Sequence, residues 1–114
     1  MYGIPNCDAV KKAKDWFKLN NIDVQFHNFR EEPISAAIIK NWITVVGPGI
    51  LLNKNSSTWR NLPQEIKNKS LSKNAAVKIM EEYPTLIKRP VVATNGTIVA
   101  GFKEDIYQSI FLNP

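Results

Sequence analysis

Cys7 is the only cysteine in this 114-residue chain, and it lies between a short apolar run, Tyr2-Gly3-Ile4, and a segment of helical spacing that begins at Asp8. A thiol at a helix start faces unpaired N–H groups and the positive end of the helix dipole, and both favour an anion. Lys11 and Lys12, about one turn further on, add positive charge. The thiolate is the nucleophile of thiol–disulfide exchange, so the pattern points to sulfur redox chemistry. The competing interpretation is that Cys7 packs as a small hydrophobe, since free cysteines are often buried. The lysine-flanked helix start favours the reactive thiol.

One cysteine cannot close an internal disulfide, which fits a reducing compartment and predicts a cytoplasmic protein. One Cys and one His, His27, cannot build a zinc site, so no metal is expected. His27 reads as a tolerated strand residue, not as a base paired with the thiol. Trp16 and Trp42 read as core by periodicity, and Trp59, beside a polar loop, is placed to line a cleft.

The elements that would position Cys7 follow from periodicity. Ala9, Val10, Ala13, Trp16 and Phe17 recur at spacings of three and four, giving a helix that ends at Asn20-Asn21. Val24 and Phe26 alternate with Gln25 and His27, so residues 22–29 read as a strand. Residues 2–29 thus form a β-α-β unit with a parallel strand pair and a right-handed crossover. Its first strand is expected to be short, as if the chain began late. Ser35 caps a second helix with Ile38, Ile39, Trp42, Ile43 and Val46 on its apolar side, and Gly47-Pro48-Gly49 ends it. Residues 50–69 read as short helical turns around the polar loop 53–57. Ser72 opens another amphipathic helix, closed by Pro84. Val91–Thr94 and Thr97–Ala100 flank Asn95-Gly96, a pair suited to a type I′ turn, which predicts a β-hairpin. Residues 104–112 close the chain as a helix with Ile106, Ile110 and Phe111 inward. The order β-α-β, helical middle, β-β-α predicts an α/β, thioredoxin-like fold with a mixed sheet in a single domain, residues 1–114.

Composition supports that reading and narrows the partners. The hydrophobic set makes up 44% of residues, enough for a core without staples at this length. No apolar run approaches the ~20 residues of a membrane helix, and no secretory signal is expected. The formal charge of +5 comes from scattered lysines that read as solvated faces, so small anions are favoured over nucleic acid as ligands.

The run Tyr2-Gly3-Ile4-Pro5-Asn6-Cys7-Asp8, followed by Lys11-Lys12-Ala13, resembles the arsenate-reductase-like (ArsC/Spx) family. The segments Leu86–Val92 and Gly101-Phe102 match further signatures of that family. Leu51-Leu52-Asn53 with Thr58-Trp59-Arg60 is similar to its YffB-like branch. The resemblance implies a thioredoxin-like fold with a helical insert, a nucleophilic Cys7, a cis bond before Pro90 beside it, and Arg89 as the oxyanion-binding arginine. With no second cysteine to resolve a mixed disulfide, glutathione is the expected co-substrate, received by Lys11, Arg89 and exposed main chain at Pro90, with Asn6, Trp59 and Arg60 as walls. Two departures shape the expected activity. Arsenate reductases of the family use two more arginines where this chain has Asn53 and Gly101, which disfavours arsenate. Val10 stands three residues after Cys7, where dithiol relatives carry a second cysteine, so the resolving thiol must come from outside. The expectation is a glutathione-dependent thiol–disulfide reductase that works as a monomer on a small thiol or disulfide, with a glutaredoxin as a further candidate partner. The rival is a non-catalytic Spx-like regulator that binds RNA polymerase, and genuine arsenate reduction is the third possibility.

Overall fold

A computed structural model describes residues 1–69 and 72–112. Four strands, β1 (Tyr2–Gly3), β2 (His27–Asn28), β3 (Val91–Thr94) and β4 (Thr97–Ala100), form one sheet in the order β2-β1-β3-β4. β1 pairs parallel with β2, Tyr2 opposite His27, and antiparallel with β3, Tyr2 opposite Val91. β3 and β4 are the expected hairpin, with Asn95 and Gly96 both at positive φ. The mixed sheet and the order of elements bear out the thioredoxin-like reading.

α1 (Asp8–Leu19) crosses from β1 to β2 and buries Val10, Ala13, Trp16 and Phe17 on one side of the sheet. α2 (Ala36–Val46) and α6 (Lys73–Glu82) pack together on the larger core cluster. Ser35 and Ser72 cap these two helices, accepting from the amides of Ile38 and Ala75. Between them lie three short helices, α3 (Pro48–Leu51), α4 (Ser57–Arg60) and α5 (Gln64–Lys69). This insert is tied to the segment entering β3. Leu52 bridges Ile87, Lys88 N donates to Leu51 O at 2.8 Å, and Asn53 N donates to Leu86 O at 2.7 Å. A 3₁₀ turn, Pro84–Leu86, precedes that segment, and α7 (Glu104–Tyr107) runs on into a π-helical turn, Gln108–Leu112.

Three expectations need correction. The strand predicted over 22–29 is confined to His27–Asn28. A strand needs a neighbour, and the ladder reaches only to Met1, whose carbonyl accepts from His27 N at 2.8 Å and whose ammonium donates to Gln25 O. Ile38 was expected inward but is 36% exposed, because α2 turns Ile39, Trp42 and Ile43 to the core. Ile106 is likewise exposed, and Tyr107 takes the inward place, where its hydroxyl donates to Gly101 O at 2.8 Å.

Candidate functional site

β1 is stopped by Pro5, which has no N–H to offer a ladder, and the chain turns through Pro5-Asn6 into α1. Cys7 is the N-cap, extended at φ −102°, ψ 128°, and its carbonyl accepts the first intrahelical bond from Lys11 N at 3.0 Å. Its thiol makes no capping bond. The side chain is half-buried against both core clusters. It is therefore open to solvent while sitting where the first-turn amides favour negative charge. Asp8, also in the first turn, puts a carboxylate into the same field, a contribution absent from the lysine count. Lys11 and Lys12 are exposed, as is Asn6.

The antiparallel pairing of β1 with β3 brings the residue before β3 to the end of the sheet from which Cys7 emerges. That residue is Pro90, and the Arg89–Pro90 peptide is cis. Pro90 is fully buried, and its carbonyl accepts from Gly101 N at 2.8 Å. The expectation of exposed main chain at Pro90 is thus corrected, because one more pair of the β3–β4 ladder occupies its carbonyl and proline has no N–H.

Arg89 is half-buried and turned towards the insert, with Nη1 donating to Thr85 O at 3.3 Å and Nε buried without a partner. Thr85 in turn shares a 3.0 Å hydroxyl contact with Thr58 of α4. Cys7 and Arg89 share no hydrogen bond or ion pair among the described residues. Arg60 ends α4 exposed, its carbonyl accepting from Lys67 Nζ. Asn53 spends its side-chain oxygen on the amide of Asn55. Trp59 is half-buried, with Lys54 Nζ 5.6 Å and Lys67 Nζ 5.9 Å from its ring centre. The fold thus collects Cys7, Asn6, Lys11 and Pro90 around the exit of β1, with Arg89 beyond Pro90, and leaves Arg60 on the insert.

Sequence reasoning missed two features. Lys88 lies across Gly101, and a surface lysine in a basic chain carries no signal of that. A cavity of about 520 Å³ opens at the other end of the sheet, between residues 22–26 and β3. None of the expected site residues lines it. Met1 does, and burial pushes its ammonium below the usual value. No group of three His, Cys, Asp or Glu among the described residues is placed to hold a metal ion. No helix among them is long and apolar enough to cross a membrane.

The ArsC family model matches residues 2–110. An uncharacterised protein of Haemophilus influenzae is 42% identical over 111 residues, covering 97% of this chain and 96% of its own length. The global transcriptional regulator Spx of Lactiplantibacillus plantarum is 29% identical over 107 residues, 92% of this chain and 80% of that protein. Among solved structures, a YFFB protein superposes with a TM-score of 0.89 at 32% identity, covering 95% of this chain and 94% of its own.

Proposed function

This chain belongs to the ArsC family, and from that premise we propose that it is a glutathione-linked thiol–disulfide reductase working through Cys7 alone. The observation that carries the reading is the half-exposed Cys7 at the N-cap of α1, in a chain with no second cysteine. The Cys7 thiolate attacks the glutathione sulfur of a glutathione mixed disulfide, forming the Cys7–glutathione disulfide as the old S–S bond breaks and the substrate leaves as a thiolate that takes a proton from water. A glutathione thiolate then attacks the Cys7-bound glutathione, regenerating the Cys7 thiolate and releasing oxidised glutathione. Val10, fully buried three residues after Cys7, offers no internal alternative.

Arsenate reduction is disfavoured. A tetrahedral oxyanion bound by several guanidinium groups gains about 1.5–3 kcal/mol per charged hydrogen bond. Here Asn53 is engaged in its own loop and Gly101 has no side chain. A regulatory role through RNA polymerase is the second reading, favoured by the length of chain shared with the Spx regulator.

Incubation with oxidised glutathione followed by intact mass spectrometry tests the first reading. One glutathionyl adduct is expected, on Cys7, removed by reduced glutathione and absent from Cys7→Ser. An unmodified protein, or an adduct that reduced glutathione does not clear, overturns it. A polymerase complex without turnover of a glutathione mixed disulfide would establish the second reading.

A further inference from the structure

We infer that Lys88 is a second anion contact of this site, holding a carboxylate of the disulfide substrate on the β4 side of Pro90 while Arg89 serves the side of the insert. The inference rests on Cys7 being the reacting thiol.

Lys88 is anchored at its backbone by the bond to Leu51 O. Its stem then crosses Gly101. Cε lies 2.9 Å and Nζ 3.7 Å from where a Cβ on Gly101 would sit. Only glycine leaves that space open, and its φ of +86° is one that other residues seldom adopt. Gly101 is itself held at both ends, its amide on Pro90 O and its carbonyl under the Tyr107 hydroxyl. A fixed notch therefore receives a lysine whose head is exposed.

The ammonium has no hydrogen bond or ion pair among the described residues. Arg89 likewise meets no carboxylate. The Lys88 stem lies over Gly101 while Arg89 Nη1 bonds Thr85 O, so the two cations are directed to different neighbours and do not share one partner. Two separated cations suit a ligand with two separated carboxylates. Oxidised glutathione carries two separated carboxylates on each half, with that half's sulfur on the residue between them.

The test compares rates of mixed-disulfide formation on Cys7 with oxidised glutathione and with uncharged hydroxyethyl disulfide, at low ionic strength. Lys88→Met is expected to slow the first reaction about two- to fivefold, the range for one exposed charge contact, and to leave the second unchanged. Lys88→Arg restores the rate, and added salt erases the difference. Gly101→Ala, which fills the notch, produces the same selective loss where it folds. Equal rates for Lys88→Met and wild type with oxidised glutathione, or equal losses with both disulfides, overturn the role of Lys88 and leave Cys7 reactive. A wild-type protein that reacts with neither disulfide overturns both readings together.

Discussion

Val10 fills the space that a side chain on Gly3 would need, its Cγ2 lying 2.7 Å from where a Cβ would sit. Both residues are buried, Val10 completely. The position three after the thiol is therefore used to press α1 onto β1, and that close approach sets where the start of α1, and with it Cys7, emerges from the sheet.

Gly3→Ala puts a methyl group 2.7 Å from Val10 Cγ2, too close for either to stay in place, while Phe26 stands at ordinary contact distance of 3.5 Å. Overpacking of this kind costs about 1–3 kcal/mol. Thermal unfolding is expected to show a fall of roughly 3–12 °C at this chain length. An unchanged melting temperature would mean that α1 does not ride this close to β1.

Arg89 separates binding from stability. Its Nε is buried with no partner, and its one bond goes to a carbonyl. Removing the guanidinium therefore relieves an unsatisfied donor as it gives up that bond. Arg89→Met is expected to slow the reaction of Cys7 with oxidised glutathione about tenfold, one charged hydrogen bond's worth, while the melting temperature moves by no more than roughly 4 °C. Stopped-flow kinetics of mixed-disulfide formation with oxidised glutathione and calorimetry on the same sample check both halves. A collapse in stability without a change in rate would make Arg89 a structural residue.

Thr58 and Thr85 join the insert to the turn that holds Arg89. Thr58→Val keeps the shape and removes one hydroxyl, leaving Thr85 to find water at a half-buried site. A loss of about 1 kcal/mol is expected. The effect on Cys7 kinetics should be confined to oxidised glutathione, because the Arg89 side is disturbed and the thiol is not. Equal slowing with a neutral disulfide would contradict this coupling.

What could be seen in the sequence was local. Asn95-Gly96 forces its hairpin through two residues at positive φ, and Ser35 and Ser72 cap their helices through bonds three residues away. Cys7 was visible because a helix start needs only its own neighbours. The segment 22–26 misled because alternation specifies a face and not a partner, and pairing there stops at Met1. The insert was illegible for a different reason: its short helices hang on pairing between 51–53 and 86–88, more than thirty residues apart. Lys88 was invisible in the same way, because its placement depends on a glycine thirteen residues further on.

Tyr107 ties α7 to that glycine, and its titration gives the pH dependence. Burial pushes its phenol well above the usual tyrosine value, so the folded state keeps the proton after the unfolded chain has released it. The stabilisation is complete below about pH 10, where both states are protonated, and declines as the pH rises above that value. Tyr107→Phe removes the bond to the Gly101 carbonyl and leaves that buried acceptor unpaired, at a cost of about 1–3 kcal/mol near neutral pH. The variant has no phenol at this position to ionise, so the difference from wild type should narrow between pH 10 and 11. Chemical denaturation of both proteins at pH 7, 9, 10 and 11 measures it. A gap that stays constant across that range would mean that the Tyr107 hydroxyl is not held protonated against Gly101.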